Sequence, residues 1–170
     1  MSFKEQVFAS FIGTFFGFIS AFILFLLTNY IRSLKINKNL KNHLKREFEY
    51  DVSLLQEWID EIDTILRKIT ASDTQVYNYL KYSFFQRYFM QESFKFGIIY
   101  KLFTNEDIFN LNEMLVHFDI GGEQFVNSLI TQWKSQQIDK KNALDSFEYQ
   151  KTQLKEYKSN LEKLLSILKK

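Results

Sequence analysis

The stretch from Val7 to Ile31 contains no Asp, Glu, Lys, Arg, His or Pro and is dominated by Phe, Ile and Leu. As a helix rising about 1.5 Å per residue it reaches roughly 37 Å, enough to cross a hydrocarbon core of about 30 Å with some tilt. A core helix of a water-soluble domain needs apolar residues on one face, whereas this run is apolar all round. It therefore predicts a transmembrane helix over residues 7–31. A secretory signal peptide is the competing reading. Its apolar region spans about 7–15 residues and ends in a small-x-small cleavage site. Leu26-Leu27-Thr28-Asn29-Tyr30 offers no such site, so the helix is expected to be retained.

The flanks set the orientation. Lys4 and Glu5 are the charged residues before the helix, whereas Arg32, Lys35, Lys38, Lys41, Lys45 and Arg46 follow it. Basic residues within about 15–20 positions of a span hold that side in the cytoplasm. Residues 1–6 are thus expected outside, with a basic juxtamembrane helix over 32–47 and a domain over 48–170 inside. Tyr30 falls at the inner boundary, where a ring with a polar tip is stable. The six cations also suit anionic headgroups, at about 1 kcal/mol each near the surface; a role in topology alone explains them as well. Absence of Cys fits a reduced compartment and excludes disulfides and thiolate metal sites. A net charge of +2 argues little for nucleic acid.

Absence of Pro and scarcity of Gly favour long helices after the membrane segment. Phe48, Val52, Leu55, Ile59, Ile62, Leu66 and Ile69 alternate in steps of four and three, an apolar seam along one helix. Ser72 with Gln75 has the capping-box pattern and predicts a second helix, rich in rings from Tyr77 to Phe96 and capped by Gly97. The rings read as bundle core, with a stacking surface or cofactor slot as the alternative. Ile98–Phe103 is expected to be an irregular or strand-like connector. Thr104 with Asp107 opens a helix whose seam runs from Ile108 to Leu129, with Gly121-Gly122 inside it. Phe147, Leu154, Leu161 and Leu168 recur every seven residues along a last helix over 139–170. The expected class is all-α, one transmembrane helix followed by a four-helix bundle, with Leu55, Ile62, Phe89, Leu115, Phe118 and Leu161 buried.

Two faces mark the membrane helix. Ala9, Gly13, Gly17 and Ala21 form a small-residue stripe that lets helix backbones approach in lipid, which points to a homo-oligomer. Phe11, Phe15, Phe18, Phe22 and Phe25, with Phe8, form the other face. It faces lipid or lines a narrow hydrophobic pore. In the soluble part His43 belongs to the basic segment, and Asp51, Glu57, Asp60, Glu61 and Asp63 are expected on a solvated face. No zinc spacing, phosphate loop or nucleophile–base pattern occurs, so no metal or cofactor is expected. Asn112 and His117 are the candidates for chemistry.

With the Lys45–Asp51 segment, the aromatic run ending in Gly97, the Thr104–Asp107 helix start and Leu111-Asn112, the layout resembles bacterial proteins with one membrane helix and a cytoplasmic helical bundle. Among them are the membrane accessory proteins of type VI-B CRISPR systems. The resemblance implies a HEPN-like fold, a bacterial inner membrane, pore-forming assembly and antiviral defence. HEPN ribonucleases carry an Arg separated by four to six residues from a His; the guanidinium holds phosphate and the imidazole moves protons. Asn112 stands five residues before His117 and lacks that charge, which implies an inactive copy. The expected function is a non-enzymatic scaffold or membrane-perturbing effector, with a membrane-tethered ribonuclease or a plain anchor for a cytoplasmic protein as alternatives. Lipid and further copies are the expected partners; nucleic acid is not.

Overall fold

The computed structural model describes the backbone of residues 3–76 and 79–169, with side chains from residue 11 onward. Phe8, Ala9 and Tyr77 lie outside the described side chains. All described secondary structure is helical: α1 Phe3–Thr70, α2 Tyr88–Lys95, α3 Ile99–Leu102, α4 Asn105–His117, α5 Ile120–Lys134 and α6 Lys140–Leu168, with a 3-10 turn at Tyr82–Phe84. The chain divides into two compact units, residues 1–39 and 40–170.

In the first unit α1 is long and apolar enough to cross a membrane, and none of its most apolar window is buried inside the protein. Phe11, Phe15, Phe18, Phe22 and Phe25 are exposed. Stacking pairs Phe11 with Phe15 at 6.5 Å between centroids and Phe18 with Phe22 at 6.4 Å. A methyl group built on Gly13 or Gly17 meets nothing within 4 Å.

The second unit is built on the predicted seam. Phe48, Leu55, Ile59, Ile62, Leu66 and Ile69 are buried along α1, with Val52 half-buried. Phe147, Leu154, Leu161 and Leu168 are buried along α6. Polar bridges pin these helices in antiparallel register: Lys151 to Asp63 at 2.5 Å, Lys158 to Gln56 at 2.9 Å and Lys169 to Glu49 at 3.7 Å.

Residues 71–76 and 79–87 depart from the expected helix. Ser72 is not an N-cap: with φ of 57° it ends α1, its N–H bonding the Ile69 carbonyl while Asp73 N–H bonds that of Lys68. That pair of bonds is the Schellman closure. Gln136 ends α5 in the same way, and Gly97 at φ 71° ends α2 where a C-cap was expected. Asp, Ser, Thr and the aromatics of 72–85 are poor helix formers, and other elements satisfy some of the described backbone groups. Asn127 of α5 accepts from Leu80 N–H at 3.0 Å and donates to its carbonyl at 2.9 Å. Glu123 accepts from Ser83 N–H at 2.7 Å.

The expected connector at 98–103 contains the short helix α3. The Thr104–Asp107 capping box is present. Expected as one helix, residues 105–134 form two. The chain turns after His117, and Asp119 caps α5 by accepting from Gly122 N–H at 2.9 Å. The four expected helices beyond the membrane segment therefore do not map one to one onto these elements. Leu55, Ile62, Phe118 and Leu161 are buried as expected, but Leu115 and Phe89 are only half-buried.

Candidate functional site

Asn112 and His117 come together in one cleft of about 410 Å³. Helix α4 adds Phe109, Glu113 and Val116 to its wall, and α6 adds Gln153 and Tyr157. The His117 ring packs among Tyr82, Phe118 and Tyr157, with centroids 5.6, 5.0 and 5.1 Å away. Beneath it, Trp58 of α1 contacts Tyr82 and Phe118. His117 Nε2 and Tyr82 Oη are buried without a hydrogen-bond partner.

Electrostatics define what the cleft can do. Burial lowers the His117 pKa against the opposing pull of Asp119, so the imidazole is neutral at pH 7. Burial, with the charge of Glu113 next in weight, pushes Tyr157 up to about 12. Tyr82 is raised as well, by burial first and Tyr157 second. Among the described residues no Arg or Lys lines the cleft, and its charged member is the Glu113 carboxylate. A phosphodiester would meet a negative charge and no guanidinium. Neutral ring faces, amide oxygens and one carboxylate instead favour a cation.

Asp51 corrects the sequence reading. Expected among solvated acids, it is fully buried, and Glu47 beside it is buried too. Glu47 accepts the N–H groups of Phe89 and Met90, each at 2.7 Å, and so caps α2 from α1. Asp51 Oδ1 accepts from Gln86 N–H at 2.8 Å, while Oδ2 is buried without a partner. Burial raises Glu47 against its two backbone donors. Burial and the neighbouring Glu47 charge, opposed by the Gln86 N–H, push Asp51 up to about 8. Two carboxylates one helical turn apart within the Leu44–Phe48–Leu55 apolar stripe were the sequence signal for this latch.

Other predicted positions separate. Arg32, Lys35, Lys38 and Arg46 are exposed, and Lys41 and Lys45 are half-buried. His43 stacks on Phe89 at 4.5 Å. Ala21 is exposed on α1 with Gly13 and Gly17. Asp60, Asp63 and Glu148 line a separate open groove with Arg67. Among the described residues no group of His, Cys, Asp and Glu suits a metal ion. Compared with protein-family models, with curated proteins and with solved structures, the chain matches none.

Proposed function

We propose that the protein is a single-pass, membrane-anchored and non-catalytic interaction module. The carrying observation is the apolar window of α1, none of which is buried inside the protein. Apolar surface on that scale needs lipid or another apolar surface to cover it. The basic residues from Arg32 to Arg46 favour placing the helical unit on the cytoplasmic side of a bacterial inner membrane. The open faces of Gly13 and Gly17 favour self-association in the bilayer. The oligomer then acts as a scaffold or as a membrane-perturbing effector in the manner of the defence proteins its layout resembles.

Ribonuclease action is the competing function, and Glu113 in the His117 cleft weighs against it. Two experiments test the proposal. Alkaline carbonate should leave the full chain in the membrane, while a Phe18→Lys/Ile23→Lys double variant is released; release of the parent chain would reject anchoring. In expressing cells, membrane potential and RNA integrity separate effector from nuclease. RNA breakdown relieved by His117→Ala, with the potential intact, would reject a non-catalytic role.

A further inference from the structure

A second cleft lies along α6. Phe125 of α5 and Asp145, Ser146, Tyr149 and Gln150 of α6 line a space of about 280 Å³. Gln150 is 3% exposed, and its side-chain oxygen has no hydrogen-bond partner. The His117 cleft uses Gln153 and Tyr157 of the same helix. At about 100° per residue these positions share one side of α6. The two clefts repeat one chemistry. Each has exposed ring surface (Phe125 and Tyr149, or Phe109), one exposed carboxylate (Asp145 or Glu113) and a buried polar atom left unpaired (Gln150 Oε1 or His117 Nε2). Among the described residues, neither is lined by Lys or Arg.

We infer that this face of α6 binds a basic segment of a partner protein, one arginine side chain entering each cleft. The inference rests on the reading of the chain as an interaction module. A guanidinium lies flat on a ring while donating in plane to a carboxylate, and it brings the positive charge that both linings lack. Tyr149 and Tyr157 are eight residues apart on α6, about 12 Å along the axis. An extended peptide advances about 3.3 Å per residue, so the spacing selects arginines about four positions apart. Val116 is exposed on the wall of the His117 cleft and gives the apolar residues of such a segment a surface that a small dication would not use.

The chain has two histidines, His43 and His117, so selective histidine labelling reports on the cleft and on a control. The full chain in phosphatidylcholine nanodiscs is titrated with acetyl-Ala-Arg-Ala-Ala-Ala-Arg-Ala-amide. The His117 signals should move and saturate while those of His43 stay. A peptide with one arginine should bind about tenfold or more weakly, because the second contact becomes intramolecular in the divalent one. Glu113→Gln and Asp145→Asn, both at exposed positions, should each weaken the divalent peptide by about two- to fivefold. An unmoved His117, or unchanged affinity in both variants, overturns the inference. Spermidine binding as tightly as the peptide, with the same sensitivity to both variants, overturns the protein partner in favour of a small polycation. Carbonate extraction tests the anchor independently of all these outcomes.

Discussion

Gly122 sits against the backbone carbonyl of His117 so closely that no Cβ fits between them. This contact closes the corner between α4 and α5 and holds His117 at the last turn of α4, under the cleft. Gly121 differs: a methyl there would lie 3.1 Å from the Asp119 carboxylate, the far end of a side chain. Gly122→Ala should therefore cost about 1–3 kcal/mol through forced backbone movement. In Gly121→Ala the roughly 1 kcal/mol gained in helix propensity offsets the crowding. Urea denaturation of both variants in non-ionic detergent checks the contrast. Equal losses would show that the corner tolerates a side chain.

The Asp51 latch makes stability depend on pH with a defined sign. Its carboxyl is raised to about 8 in the folded chain, against about 3.9 when unfolded. The folded state therefore holds the proton more tightly. The contribution is fully present below about pH 4 and is lost as pH rises towards 8, with a slope approaching about 1.4 kcal/mol per pH unit. Asp51→Asn should flatten the denaturation midpoint between those limits, leaving a smaller dependence of the same sign from Glu47. Asp107 acts oppositely: burial would raise it, but Lys163 and Thr104 hold it low. Its stabilisation is lost as pH falls through the acid range, outside the Asp51 window. A parent profile that is flat from pH 4 to 8 would show Asp51 to be ionised throughout.

Truncation of the core should discriminate between two seam residues. Ile62 is fully buried on α1, whereas Leu115 is half-buried on α4. Ile62→Ala should cost about 2–5 kcal/mol, the range for a buried aliphatic side chain. Leu115→Ala removes less buried area and should cost less. The reverse order in urea would mean that Leu115 is covered by another chain.

Period and local punctuation were enough to read α1, α6 and the start of α4. Steps of three and four from Phe48 to Ile69, a seven-residue repeat from Phe147 to Leu168 and the Thr104–Asp107 box are local signals, and each survives in the fold. Segment 71–87 was illegible for a physical reason. Three of its described backbone N–H groups are satisfied by side chains from 35 to 47 positions away: Asp51 on Gln86, Glu123 on Ser83, Asn127 on Leu80. No window along the sequence contains both partners. The Ser72 reading failed because the same small polar residue serves at either helix end, and the positive φ that settles which end is a property of the folded chain. At the candidate site, Asn112 and His117 were visible as a spacing. The rings of Tyr82 and Tyr157 reach His117 from the 3-10 turn and from α6, and no local pattern joins those.

The open faces of Gly13 and Gly17 carry the last prediction. Within one chain nothing occupies the space a side chain would take at either position, so their smallness serves no contact among the described residues. In lipid, where apolar burial gives little drive between helices, close backbone approach and packing decide association. Gly13→Ile with Gly17→Ile places branched side chains on that face and should weaken self-association in a bilayer. Phe15→Leu with Phe22→Leu, on the other face, should leave it intact if the rings meet lipid. Energy transfer between labelled copies, measured at fixed protein-to-lipid ratio, reads the difference. Loss in the glycine pair alone assigns the interface to the small-residue face. Loss in the phenylalanine pair alone moves it to the rings and places them at the centre of the assembly. No association of the parent chain would reject the oligomer.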